Sequence, residues 1–136
     1  MITLCLPYPL SANRYWRTRV MRGPRPIAQT YVSPEAEAYK ADVLAIARHA
    51  GARQIAGRVS LRMALYPHQP KDWHKRTEAE RDALRCIDLD NALKVTLDAL
   101  KGVAFGDDAL VREIVAVRME PDEKGARLVV TVEGLE

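Results

Sequence analysis

The alternation of apolar and polar residues predicts four short strands, and helical spacing predicts two helices. Ile2, Leu4 and Leu6 alternate with Thr3 and Cys5, the pattern of a half-buried strand, and Pro7 and Pro9 close it. Ser33-Pro34-Glu35 opens a helix, with serine as N-cap, proline in the first helical position and an acid in the first turn. Ala36, Tyr39, Val43, Ile46 and Ala50 form its expected buried stripe, and Gly51 closes it. From Arg58 to Tyr66, Val59, Leu61, Met63 and Leu65 point inward, with Arg58, Ser60 and Arg62 outward. Leu89, Leu93, Leu97 and Leu100 fall at i, i+4, i+8 and i+11, which predicts a helix over 89–101. Asp88 or Asp90 suits its N-cap, and Gly102 its C-terminal stop. Leu110 to Met119 and Ala126 to Glu133 read as strands joined through Pro121-Asp122-Glu123-Lys124-Gly125, a predicted β-hairpin. The order β-α-β-α-β-β implies an α+β fold in one domain spanning 1–136: a mixed four-stranded sheet with helices packed against it.

Charge changes this picture, because it is unevenly spread. The chain has 136 residues and a net charge of +3. Residues 1–85 carry 15 of the 21 Lys and Arg against 7 acids, whereas residues 86–136 carry 6 bases and 11 acids. A basic surface beside an acidic pocket suits a protein that holds a polyanion and needs a cation at the bond to be cut. The segment after the first strand is read as a loop. It holds Arg14, Arg17, Arg19, Arg22 and Arg25 with Asn13, Tyr15 and Trp16, and no acid precedes Glu35. Arginines with aromatics suit phosphate contact and base stacking. Gly23-Pro24-Arg25-Pro26 is its expected mobile tip. Pro67 to Arg85 is also strongly charged, with Lys71, Lys75 and Arg76 as candidate DNA contacts. His68, Asp72 and His74 are conceivable zinc donors there, but DNA contact or a solvated flap is the expectation. Thr77 and Glu80 are spaced to cap a short helix through Leu84.

The densest chemistry lies in Cys86–Val111. Asp88 and Asp90 share a side if the chain is extended through 86–89, since the strand period is two. Lys94 follows Asp90 by one helical turn. Asp107-Asp108 sits on a turn entering the next strand, and if that strand lies beside the helix start, Asp108 meets Asp88 and Asp90. Any one of these pieces alone is ordinary: a surface i, i+4 ion pair or turn chemistry. Together, four acids with few bases among them repel unless a cation joins them. A hard divalent ion takes oxygen ligands and keeps positions open for water and phosphate oxygen. These residues therefore make a candidate site for metal-assisted phosphodiester chemistry.

Asp88-Leu89-Asp90-Asn91, Lys94, Asp98-Ala99-Leu100, Gly102-Val103 and Asp107-Asp108 resemble the signature of the RusA family of Holliday-junction resolvases. Pro7 to Trp16 is similar to that family's opening loop, and Tyr31-Val32-Ser33-Pro34-Glu35 to its entry into the first helix. The resemblance runs over nearly the whole chain in matching order, with Pro67–Arg85 longer than it leads one to expect. It implies a small homodimeric, Mg²⁺-dependent endonuclease, with Mn²⁺ as an alternative ion, that resolves four-way DNA junctions. It also implies catalytic roles for Asp88, Asp90, Asp108 and Lys94, the three aspartates holding the metal. Asn13, Arg14, Tyr15, Trp16, Arg17 and Arg19 then join Lys71, Lys75 and Arg76 as the expected DNA surface.

Two other classes fit less of the chain. A non-catalytic DNA-junction-binding protein needs no metal, and an enzyme of small phosphoesters needs no extended cationic surface. Cys5 and Cys86 have neither metal-binding nor redox spacing, and Cys86 is expected to pack. Neither a basic leader with an apolar run nor a membrane-spanning segment is apparent, so a cytoplasmic location is expected and no membrane partner.

Overall fold

The computed structural model describes residues 1–135. Its elements are β1 (Ile2–Leu6), α1 (Ala12–Tyr15), β2 (Trp16–Met21), β3 (Ile27–Val32), α2 (Pro34–His49) and β4 (Val59–Tyr66), then a 3₁₀ turn (Trp73–Lys75), α3 (Glu78–Asp82), α4 (Leu89–Leu100), a second 3₁₀ turn (Asp108–Leu110), β5 (Val111–Arg118) and β6 (Arg127–Gly134). The fold is α+β, with a mixed four-stranded sheet in the order β1-β6-β4-β5. β4 is parallel to β5 and antiparallel to β6, and β1 is antiparallel to β6.

One face of this sheet carries the core. Leu4, Leu6, Leu61, Met63, Leu65, Leu128 and Val130 are buried in one cluster with Tyr39 and Val43 of α2 and with Val95, Ala99 and Leu100 of α4. On the opposite face Thr3, Cys5, Arg62 and Glu133 are exposed, the division a sheet with one wet face requires. Ser33 caps α2 as expected, its hydroxyl accepting from Ala36 N at 3.2 Å and donating to the Arg14 carbonyl at 2.6 Å. Gly102 takes φ 80°, the left-handed conformation that ends α4. Thr77 and Glu80 form the reciprocal capping box, although α3 ends at Asp82 rather than Leu84. No helix among the described residues is long and apolar enough to cross a membrane.

Four local expectations are corrected. β5 and β6 are not a hairpin: β4 lies between them, and their connection crosses the end of β4, where Met119 N donates to the Leu65 carbonyl. β4 is thereby bonded along both edges, to β5 on one and β6 on the other. The segment after β1 is not a loop. After one turn of α1, β2 and β3 pair antiparallel from Trp16↔Val32 to Met21↔Ile27, and Gly23–Pro26 connects them. In α2 Ala47 is buried and Ala50 exposed, because a 3.6-residue period carries 36, 39, 43 and 47 onto one line. In α4 the buried face is Ala92, Val95, Thr96, Ala99 and Leu100, and small residues there admit close packing. Leu89, Leu93 and Leu97 sit half-buried on its flank.

Candidate active site

α4 begins where extended backbone gives way to helix at Asp88, whose φ of −67° and ψ of 145° place it at the N-cap position. Its side chain makes no cap hydrogen bond. Asp90 lies in the first turn and Lys94 one turn further, and both are exposed. The helix N-terminus favours negative charge at both aspartates. Asp88 and Asn91 line an open cleft of about 690 Å³ between the start of α4, the segment after β1 and the first turns of α2. Arg14, Glu35 and Asp42 supply charge to its rim, and Tyr8 and Tyr39 supply aromatic surface.

Tyr8 fixes the approach to this site. Its phenol oxygen accepts a hydrogen bond from Ile87 N at 2.8 Å, immediately before Asp88. Burial raises the phenol pKa, so Tyr8 stays neutral at physiological pH. Cys86 is half-buried beside it, and burial pushes its thiol pKa up as well. That agrees with a packing role, since the thiolate is the reactive form. Periodicity gives no sign of this role for Tyr8, because its partner lies 79 residues away in the chain.

The expected DNA surface divides. Asn13 and Arg19 are exposed, and Arg19 Nε donates to Gln29 Oε1 at 3.1 Å with its guanidinium 5.0 Å from the Tyr31 ring centre. Arg14 and Arg17 meet the acid missing from the preceding segment, at 2.5 and 3.7 Å from Glu35. Tyr15 is fully buried and therefore offers no ring to a base. Its hydroxyl donates to Asp98 of α4, with Lys40 Nζ 3.7 Å from the same carboxylate. Burial, and then this carboxylate, raise the Tyr15 pKa far above the usual phenol range. Trp16 is half-buried, its ring centre 4.4 Å from that of Tyr15. Lys71 and Lys75 are exposed, whereas Arg76 pairs with Asp72 at 3.0 Å. Trp73 is buried and anchors this segment beneath Arg81, whose guanidinium lies 5.0 Å from the ring centre.

The second acidic pair is placed differently from the expectation. Arg118, the last residue of β5, donates to the Leu84 carbonyl at 2.6 Å, which puts the end of β5 near the approach to α4. Asp107, just before β5, lies 3.2 Å from Lys101 at the other end of α4. α4 thus runs antiparallel to β5, and the strand begins beside the helix end rather than its start. Asp107 caps its own turn, accepting from Ala109 N, and that bond followed by Lys101 holds its carboxyl below the usual range. Asp108 is exposed in the same turn. Among the described residues, no three His, Cys, Asp or Glu side chains are grouped closely enough to hold a metal.

The donor set nonetheless suits a hard divalent cation. Asp88, Asp90 and Asp108 are exposed carboxylates with no side-chain hydrogen bond or ion pair among the described residues, whereas Asp72, Asp98, Asp107 and Asp122 are paired.

Comparison with known proteins assigns the family. The model of the endodeoxyribonuclease RusA family matches residues 7–133. The crossover junction endodeoxyribonuclease RusA of Escherichia coli strain K12 is 34% identical over 131 residues, covering 96% of this chain and 92% of the relative. That of Shigella sonnei strain Ss046 matches with the same identity and coverage. The enzyme of Enterobacteria phage 82 is 33% identical over 130 residues, covering 95% and 91%. With the matched region reaching from the loop that carries Tyr8 to the end of β6, the chain belongs to the RusA endodeoxyribonuclease family.

Proposed function

We propose that the whole chain is one RusA-like endonuclease domain. It acts in the cytoplasm as a homodimer, resolving four-way DNA junctions by Mg²⁺-dependent hydrolysis of phosphodiester bonds in recombination and repair. The observation that carries this reading is the start of α4. Asp88 occupies the N-cap position at the edge of an open cleft yet leaves its carboxylate uncommitted, with Asp90 in the first turn and Lys94 one turn beyond it.

Asp88 and Asp90 would hold Mg²⁺, or Mn²⁺ in its place; Asp108 is the third ligand that the family resemblance implies, and within one chain it stands at the other end of α4. When bound, the ion supplies Lewis-acid polarisation of the scissile phosphate and raises the acidity of water there. Lys94 places an ammonium where negative charge grows on the phosphate oxygens, so its contribution is largest in the transition state. Tyr8 orders the backbone entering Asp88, so that Asp88 and Asp90 are oriented before substrate arrives. Asn13, Arg14, Trp16, Arg17, Arg19, Lys71, Lys75 and Arg76 make the cationic DNA surface around them. Tyr15 serves that surface from beneath, by fixing α1 to α4.

One observation favours a second reading, a non-catalytic junction-binding protein: the acids are split between the two ends of α4. A direct assay separates the two. The protein is incubated with a synthetic four-way junction and a linear duplex of the same sequence, with and without Mg²⁺. The endonuclease reading expects Mg²⁺-dependent cleavage of the junction and little of the duplex. Tight junction binding without cleavage in Mg²⁺ or Mn²⁺ would establish the second.

A further inference from the structure

We infer that the free end of the β2–β3 ribbon is a wedge for the branch point of the DNA. Its arginine face holds phosphates, and its apolar end covers the base-pair faces that a four-way junction exposes where its arms meet. This rests on the endonuclease reading and names what sets a junction apart from a duplex at this surface.

The first ground is how the ribbon is anchored. β2 and β3 pair with each other, and neither joins the main sheet. Trp16 and Val32, the pair at the base, pack against the core. Beyond them Arg17 to Val20 and Arg25 to Thr30 are exposed, so the outer part is left uncovered by the described residues. Six residues per strand make the ribbon about 20 Å long. Arg14 lines the cleft two residues before β2 begins, so the ribbon springs from the rim of the site.

The second ground is the division of its surface. Strand alternation puts Arg17, Arg19, Gln29 and Tyr31 on one face and Thr18, Val20, Ala28 and Thr30 on the other. The first face is cationic, with Arg19 held there by Gln29 and the Tyr31 ring. The second carries no charge. Val20 and Ile27, at the far end, are 62% and 63% exposed, more than any other large apolar side chain described except Met1. Pro24 and Pro26 continue this apolar end through the connecting turn, between Arg22 and Ile27.

The third ground is the chemistry of the occupant. The ribbon has four arginines and no acid, so a second ribbon is repelled and a polyanion attracted. A two-stranded ribbon fits the major groove of DNA, about 12 Å wide. Apolar side chains that enter DNA cover base faces by separating stacked steps, at a cost in lost stacking. In an uninterrupted duplex that cost is met in full. At a branch the stack between arms is already broken, so the apolar end gains contact for less. Duplex is then held through its phosphates alone, and the junction adds the end of the ribbon.

Fluorescence of 2-aminopurine tests this, because the base brightens when it loses a stacking neighbour. The probe is a synthetic four-way junction with 2-aminopurine beside the branch, compared with the same base placed mid-arm, in EDTA so that nothing is cut. Wild type should brighten the branch position at least about threefold and the mid-arm position little. Val20→Ser with Ile27→Ser should lose that signal and about tenfold of the junction-over-duplex preference, at unchanged duplex affinity. Val20→Leu with Ile27→Leu should keep both, since apolar surface is what the branch selects.

A serine pair that retains the branch signal and the junction preference overturns the wedge. Equal loss on junction and duplex overturns it too, reducing the ribbon end to a general DNA contact or a folding defect. So does a serine pair that changes the sedimentation mass and leaves the branch signal intact, since the apolar end then faces a second copy. The endonuclease reading fails separately: a wild type that brightens the branch yet cuts no junction in Mg²⁺ or Mn²⁺ keeps the wedge and loses that reading.

Discussion

The Tyr8 hydroxyl receives the Ile87 amide proton at 2.8 Å, so a residue just past the first strand holds the backbone that presents Asp88. Tyr8→Phe keeps the ring and removes the acceptor, leaving a partly buried N–H without its partner. We expect a stability loss of about 1 kcal/mol. We also expect a fall of about tenfold in single-turnover cleavage, with junction affinity near wild type. Lower thermal stability with an unchanged rate well below the melting temperature would confine Tyr8 to a structural role.

Asp90→Asn preserves shape and removes a formal charge. Cleavage should be abolished, while junction binding survives or tightens because one carboxylate no longer repels the phosphates. Gel-shift titration alongside the cleavage assay measures both. Equal loss of the two would assign Asp90 to folding or DNA contact.

Lys94 stands one turn from Asp90 with no ion pair among the described residues. Lys94→Ala should slow cleavage by roughly two to three orders of magnitude, about 3–4 kcal/mol of barrier. Junction affinity should change little, since one lysine adds one phosphate contact to many. Lys94→Arg should restore only part of the rate, because a planar guanidinium is a poor substitute for a compact ammonium. A rate within about threefold of wild type for Lys94→Ala would falsify the catalytic role, since loss of a surface charge alone costs well under about 1 kcal/mol.

The β2–β3 ribbon carries Arg17, Arg19, Arg22 and Arg25 and no acid. Replacing Arg19, Arg22 and Arg25 with glutamine should weaken junction binding. It should also flatten the salt dependence, the log–log slope falling by about 0.9 for every phosphate the ribbon no longer neutralises. The cleavage rate at saturating protein should hold. Affinity measured at several salt concentrations checks this, and an unchanged slope would take the ribbon off the DNA.

Asp122 accepts from both terminal nitrogens of Arg127, at 2.7 and 2.9 Å, while the guanidinium lies 3.9 Å from the centre of the Tyr66 ring. The Arg127 bonds depress the Asp122 pKa below the usual carboxylate value. The stabilisation is therefore complete above the unfolded carboxylate pKa of about 3.9 and is lost as pH falls through the lower folded value. Asp122→Asn should destabilise the protein at pH 7 and flatten the acid side of its stability profile. Thermal unfolding between pH 2 and pH 6 measures this; parallel profiles for variant and wild type would refute it.

By itself the sequence determined what depends on near neighbours. The alternation in 2–6 and 59–66 specified strands and their inward faces. Ser33, Thr77 and Gly102 specified helix ends, since caps act within one turn. The spacing of Asp88, Asp90 and Lys94 needed only the switch from extended to helical backbone at residue 88. What tertiary structure decided spans long separations, where local period carries no information. Alternation in β5 and β6 says that each is a strand, but not which strand each pairs with, and β4 lies between them. Tyr15 reads as a base-stacking aromatic, but its ring is buried and its hydroxyl donates to the half-buried Asp98, far along the chain. The two acidic pairs read as neighbours within one stretch of sequence. Between them lies a rigid helix, and its length puts them at opposite ends.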